Sequence, residues 1–184
     1  IATSADGPYD VFVADMDSDG DLDILSASKF DDTIAWYENN GAADPSFAAA
    51  DIVTNTDHAY DIDVADIDGD GDLDIVSGAV ESNEIAWYEN NGAADPTWSK
   101  TVIATSANHT RDVDIADMDG DGDLDIVSAS NADNTIAWYE NNGAADPTFA
   151  AADIFTSASG ANDVHLGDMD GDGDIDIVSA STDD

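Results

Sequence analysis

The chain is built from short apolar runs separated by stretches rich in Asp, Asn and Gly, and no run carries a helical period. In Asp112–Ala116, Val113 and Ile115 alternate with polar neighbours, which predicts a strand with one face on a core. Leu124–Ala129 and Ile136–Glu140 are apolar on both faces: Leu124 and Ile126 oppose Val127, and Ile136 and Trp138 oppose Ala137 and Tyr139. The Asn131–Asn134 cluster reads as the turn between them, and Asn-Asn-Gly and Asp-Pro break the chain afterwards. Ala152–Thr156 reads as a fourth strand. The Ala-rich piece Phe47–Ala50 has helical propensity, but it is short and sits between a Pro turn and a β-branched run, so it predicts no helix.

This four-strand pattern repeats. The nonapeptide Asp15–Asp23 returns from Asp66, Asp117 and Asp168 at steps of 51 residues. The block IAWYENNGAADP stands unchanged at Ile34–Pro45, Ile85–Pro96 and Ile136–Pro147, again 51 apart. A sheet with two apolar faces needs a neighbour on each side, and repetition supplies those neighbours. The expected fold is therefore all-β: β-propeller blades of four antiparallel strands, about 3.6 repeats in the chain. A linear β-array, which buries the same faces without closing a ring, is the alternative. One repeat array is expected over residues 1–184: a partial blade 1–9, blades 10–60, 61–111 and 112–162, and a partial blade 163–184. Ile1–Ser4 matches Ile103–Ser106, so the chain is expected to open on a fourth strand. It closes after Ile175–Ser181, a second strand, with no Trp-Tyr strand in the last copy. The missing strands are expected from further residues or from another chain, since an open strand edge pairs in trans. Starting at Ile1, the sequence reads as a matured protein or a piece of a longer one.

Charge narrows the possibilities. There are 43 Asp and Glu against three Lys and Arg, a formal charge of −40. That excludes nucleic-acid binding through phosphates, which needs a basic face, and argues against docking on anionic lipid. No apolar run approaches the roughly 20 residues of a membrane span. With no cysteine, disulfides and thiolate chemistry are absent. Asp outnumbers Glu 38 to five, a bias that solubility alone does not demand. The shorter carboxylate suits tight turns and compact cation cages.

The repeated nonapeptide has the spacing of a calcium loop. Positions 1, 3, 5 and 9 offer side-chain oxygens, position 7 a backbone carbonyl, and position 6 is the glycine of a sharp turn. The candidate ligands are Asp15, Asp17, Asp19, Asp21 and Asp23; Asp66, Asp68, Asp70, Asp72 and Asp74; Asp117, Asp119, Asp121, Asp123 and Asp125; and Asp168, Asp170, Asp172, Asp174 and Asp176. About one Ca²⁺ per repeat is expected, four in all. An EF-hand would carry Glu at position 12 between helices; here position 12 is Ser26, Ser77, Ser128 or Ser179, and strands flank the loop. Magnesium prefers fewer carboxylates and more retained water, and zinc prefers Cys or His. The alternative, solvated turns without metal, leaves close carboxylates repelling one another. Four Ca²⁺ (eight positive charges) would bring the formal charge from −40 to −32.

The DxDxDGDxDI loop followed by IAWYENNG resembles the FG-GAP/VCBS repeat family, the blade type of integrin α-subunit propellers and of many secreted bacterial proteins. The resemblance covers essentially the whole chain. It implies propeller blades with calcium in the hairpin between the first two strands, held by the aspartates named above. The chain is shorter than the seven blades usual in that family.

Trp36, Trp87 and Trp138 share one register and are expected to pack between blades rather than form an exposed ladder for sugars. His58 and His109 share a register and His165 does not. No activated nucleophile or isolated carboxylate pair stands out, so the chain is not expected to be an enzyme. The expectation is a calcium-binding structural or adhesive protein, secreted or at the cell surface of a microbe. Its partners would be copies of itself or further repeats. The alternatives are a lectin-like propeller that binds glycan and a non-catalytic propeller module of a larger secreted protein.

Overall fold

The computed structural model describes Ile1 and residues 5–182. Residues 2–4, on which the expected opening strand falls, lie outside the described residues. Three four-stranded antiparallel sheets and one hairpin follow in chain order. The first sheet is β1 (Pro8–Ala14), β2 (Asp23–Ser28), β3 (Thr33–Asn39) and β4 (Phe47–Val53). The second is β5 (Ala59–Ala65), β6 (Asp74–Ala79), β7 (Glu84–Asn90) and β8 (Trp98–Ala104), and the third is β9 (Thr110–Ala116), β10 (Asp125–Ser130), β11 (Thr135–Asn141) and β12 (Phe149–Phe155). The hairpin is β13 (Ala161–Gly167) and β14 (Asp176–Ser181). Within each sheet the strands pair in sequence order, and β1, β5, β9 and β13 lie side by side along the inner edge of the array.

The fourth strands begin earlier than periodicity indicates. Ala48, Ala49 and Ala50 pair with Glu38, Tyr37 and Trp36, so ladder hydrogen bonds override the helical preference of alanine. Each inner strand carries a β-bulge near its start, so that Asp10, Asp61, Asp112 and Asp163 each directly follow one extra residue.

The core lies between sheets. One cluster joins Leu25 and Trp36 of the first sheet to Ile62, Ala86 and Tyr88 of the second. The next joins Val76 and Trp87 to Val113, Ala137 and Tyr139, and the third joins Val127 and Ile136 to Val164 and Leu166. In each sheet the Trp face meets the following sheet or hairpin, and in the second and third sheets the Tyr face meets the preceding one. Trp87 is only 1% exposed, so the tryptophans pack between blades, as their strand register predicts. Gly78 belongs to this close fit: a Cβ there would run into the Thr110 side chain of the next sheet.

The outer faces of the array show what such packing covers. Val11 occupies the register of the buried Ile62 and Val113, yet is 62% exposed, and Val13, in the register of the half-buried Val64 and Ile115, is 53% exposed. With Ile24 and Tyr37 they line an apolar cavity of about 410 Å³ on the side turned away from the second sheet. At the other end Val178, in the register of the fully buried Val127, is 50% exposed.

Val127→Ala should destabilise the protein by about 2–3 kcal/mol, because it removes two methyl groups from a dry interface between sheets. Val178→Ala, at the same repeat position, should change stability by less than about 0.5 kcal/mol. Urea denaturation of the two variants measures the difference, and equal losses would contradict inter-sheet burial as the source of stability.

Candidate metal centre

Each Asp loop joins the inner strand of a sheet to its second strand, beginning one residue after β1, β5, β9 or β13 ends. Glycine at position 6 is required by backbone geometry: Gly20, Gly71, Gly122 and Gly173 all have φ between 95° and 101°. The turn directs main-chain N–H groups at the loop's own carboxylates. Gly71 N donates to Asp66 Oδ2 at 3.0 Å, Asp70 N to Asp68 Oδ1 at 3.2 Å, and Asp72 N to Asp70 Oδ1 at 2.9 Å. The same pattern recurs in the other three loops.

These bonds converge the carboxylates. Asp15, Asp17 and Asp19 form one group, Asp66, Asp68 and Asp70 a second, and Asp117, Asp119 and Asp121 a third. In the fourth loop the group is Asp168, Asp170 and Asp176. Within each group one oxygen per residue lies within 4.8 Å of the others. Positions 1, 3 and 5 therefore come together in three loops, and positions 1, 3 and 9 in the fourth, where Asp172 stands outside the group.

The remaining candidates are placed differently. Position 7 was nominated for its carbonyl; its carboxylate packs against the Asn-Gly turn, so a Cβ at Gly41, Gly92 or Gly143 would collide with Asp21, Asp72 or Asp123. At position 9, Asp23, Asp74 and Asp125 are 1% exposed and clasp the loop from below. Asp74 Oδ1 accepts from Asn90 N at 2.8 Å and Oδ2 from Ile67 N at 3.2 Å. Burial pushes the Asp74 carboxyl up to about 7 despite these two donors.

The donor set fits a hard divalent cation. It is all oxygen, and its charge has no basic partner: the ion pairs among the described residues are His58–Glu81, Lys100–Glu84 and His165–Asp114, none in a loop. One oxygen, Asp66 Oδ1, is buried with no hydrogen-bond partner. A cation such as Ca²⁺, which takes six to eight oxygens, would satisfy it.

A second acidic feature was missed by sequence reasoning. The polar faces of the inner strands bring Asp10, Asp61, Asp63, Asp112, Asp114 and Asp163 around a cavity of about 240 Å³. Each sheet holds the next here through carboxylates. Asp10 accepts from Ile62 N at 3.2 Å, Asp61 from Val113 N at 2.8 Å, Asp112 from Val164 N at 2.7 Å and Asp114 from Leu166 N at 2.8 Å. Burial, with Asp112 alongside, pushes Asp61 up to about 9; burial, with Asp163 and Asp114 close, pushes Asp112 up to about 7. The readable signal was the recurrence of Asp at 10, 61, 112 and 163 opposite the apolar face of a predicted strand.

A family model described as FG-GAP-like repeat matches residues 15–77, 76–128 and 117–179. No curated protein matches the chain in sequence. Among solved structures, an Agrocybe aegerita lectin, described by its recognition of non-reducing terminal N-acetylglucosamine, aligns with a TM-score of 0.63 at 23% identity. That alignment covers 94% of this chain and 47% of the lectin. The V. cholerae biofilm matrix protein Bap1 aligns with a TM-score of 0.53 at 20% identity, over 95% of this chain and 28% of that one. The chain thus spans less than half the length of either, and the likeness is one of fold.

The carboxyls lining the cavity between the inner strands, here called the channel, give a pH dependence of definite sign. Asp61 and Asp112 titrate above their unfolded value, so the folded state binds more protons and stability falls as pH rises. Their contribution is complete below about pH 4 and disappears as pH passes through about 7 and then about 9. Metal-free protein should therefore melt at progressively lower temperature from pH 6 to pH 9, and Asp61→Asn, which mimics the protonated carboxyl, should flatten that slope. A wild-type melt independent of pH over this range would contradict the half-buried pair.

Proposed function

The chain belongs to the FG-GAP-like repeat family, and on that premise we propose that it is an extracellular, non-catalytic calcium-binding repeat protein with a structural or adhesive role. The observation that carries this reading is the convergence of three carboxylates in each of four loops, with the Asp66 oxygen left unpaired. Calcium would cross-brace the first two strands of each blade, so metal binding and folding are linked. The ligands are the aspartates at positions 1, 3, 5 and 9 with the carbonyl at position 7 in each loop. Extracellular sites need an affinity of only about 10⁻⁴–10⁻³ M, which suits exposed loops in calcium-replete water.

The structural role draws support from the likeness to a biofilm matrix protein and from the apolar outer faces around Val11 and Val178. Those faces have the register that packs blade on blade, so they suit further repeats or other copies of this chain. Microbial secretion or surface display accords with the acid-rich, cysteine-free composition. Among the described residues no helix is long and apolar enough to cross a membrane.

A second reading is glycan binding. The fold is shared with a lectin, and Phe30 and Tyr9 are 60% and 50% exposed, with Lys29 Nζ 5.2 Å above the Tyr9 ring. Aromatic faces beside polar groups stack on sugar rings.

Calorimetry should find about four calcium sites per chain, in keeping with the four carboxylate groups, and chelation should lower the melting temperature. Asp119→Asn with Asp121→Asn should remove one site and lower the melt by about 3–5 °C in calcium while leaving it unchanged in chelator. Absence of binding, together with a melt indifferent to chelation, would defeat the calcium reading. Light scattering in calcium and in chelator tests the structural role, with assemblies that dissolve on chelation as the expected result. A compact particle that retains a glycan on an array, and loses it in Phe30→Ala, would favour the second reading instead.

A further inference from the structure

The loops are wired to one another. Asn90 closes the second sheet's third strand, is 2% exposed, and uses every polar atom of its amide. Its Nδ2 donates to Leu73 O of its own loop at 3.1 Å and to Met16 O of the preceding loop at 3.0 Å. Its Oδ1 accepts from Gly92 N at 3.1 Å, and its main-chain N donates to Asp74. Asn141 repeats the arrangement one blade on, with Leu124 O of its own loop at 3.1 Å and Ile67 O of the preceding loop at 3.0 Å.

The carbonyl reached in the preceding loop belongs to position 2, between the carboxylates of positions 1 and 3. The N–H of that same residue donates to the position 9 carboxylate: Met16 N to Asp23, and Ile67 N to Asp74. A continuous hydrogen-bonded path therefore runs from the first loop through Asn90 to the second, and through Asn141 to the third. Asn39, at the same register, makes only the own-loop contact to Leu22 O and is half-exposed. The inter-loop bond is thus separable from the turn that asparagine forms in every copy.

Resting on the calcium reading, we infer that neighbouring loops bind metal cooperatively, with Asn90 and Asn141 as the positioning residues that couple them. Ordering one loop fixes the peptide that sets positions 1 and 3 of the loop before it. That loop then has less freedom left to lose on binding its own ion. Coupling of this kind is reciprocal.

The test reads each loop by its own reporter. The amides of Gly20, Gly71, Gly122 and Gly173 each bond the position 1 carboxylate of their loop, so their NMR shifts follow calcium loop by loop. In the full chain, Asp68→Asn with Asp70→Asn blocks the second loop without touching either asparagine. The Gly20 and Gly122 midpoints should then move to about five-fold higher calcium or more, while Gly173 stays put. Asp17→Asn with Asp19→Asn should shift Gly71 by the same factor as the second-loop block shifts Gly20. In an Asn90→Ala background, the second-loop block should no longer move Gly20.

A Gly20 curve indifferent to the second-loop block would overturn the coupling, whether or not Asn90→Ala folds. If no glycine amide responds up to about 10 mM calcium, well above the affinity range of extracellular modules, the calcium reading itself falls and the coupling with it.

Discussion

A carboxylate accepting a main-chain N–H is the interaction on which this structure depends. The chain has three basic side chains for 43 acidic ones, so ion pairing cannot compensate its charge. Peptide dipoles do part of that work instead. Asp74 receives two N–H groups across the base of its loop, Asp61 receives the next sheet's Val113 N–H, and Asp66 receives Gly71 N–H. Inner strands of adjacent sheets lie beside one another, and aspartates give their amides side-chain acceptors across the junction. A sheet edge that would otherwise present unpaired donors is thereby satisfied.

Two acidic populations follow, and their electrostatics diverge. Asp61 and Asp112 of the channel are half-buried where a charge is costly, and lie close enough that protonation relieves both desolvation and mutual repulsion. The loop carboxyls at positions 1, 3 and 5 are half-buried to exposed, where water reaches most of the charge and a divalent ion has access. Protons and the proposed metal would therefore pull stability in opposite directions along the pH axis. Acid favours the channel and removes ligands from the loops; alkali does the reverse. Position 9 sits between these regimes, since Asp74 is desolvated like a channel residue and belongs to the loop.

Much of this was legible in the sequence because the repeat fixes geometry. Two-sided apolar strands at 51-residue spacing require sheet-on-sheet burial, and the shared register of Trp36, Trp87 and Trp138 predicts that they pack rather than display. The loop spacing nominated positions 1, 3, 5, 7 and 9, of which the carboxylates of 1, 3 and 5 come together in three loops and those of 1, 3 and 9 in the fourth. Hidden from that reading were the polar contacts between repeats. Asn90 looks like a turn residue in Glu-Asn-Asn-Gly, and its bond to Met16 joins positions 74 residues apart. Asp61 looks like the solvent side of an alternating strand, but inner strands lying side by side leave that polar face half-buried. The alanines from Ala48 to Ala50 were ambiguous because their strand character comes from the partner strand, not from their own preference.

Repetition also determines how local changes spread. In an array where each unit touches only its neighbours, stability is a sum of intrinsic and interface contributions, and interfaces carry the cooperativity. Here the two interfaces between complete sheets have three layers: an apolar slab centred on Trp and Tyr, the aspartate-to-amide bonds at the inner edge, and the asparagine bond between loops. The apolar slab supplies most of the free energy but is nearly non-directional. The two polar layers fix the height and rotation at which one sheet settles on the next, because a hydrogen bond to a named carbonyl tolerates little slippage. A blade displaced along its neighbour would keep much of its hydrophobic burial and still strand Asp61, Val113 N–H and Asn90 without partners. Register between blades is therefore set by the polar residues, and the loops that gather the carboxylates inherit their alignment from it.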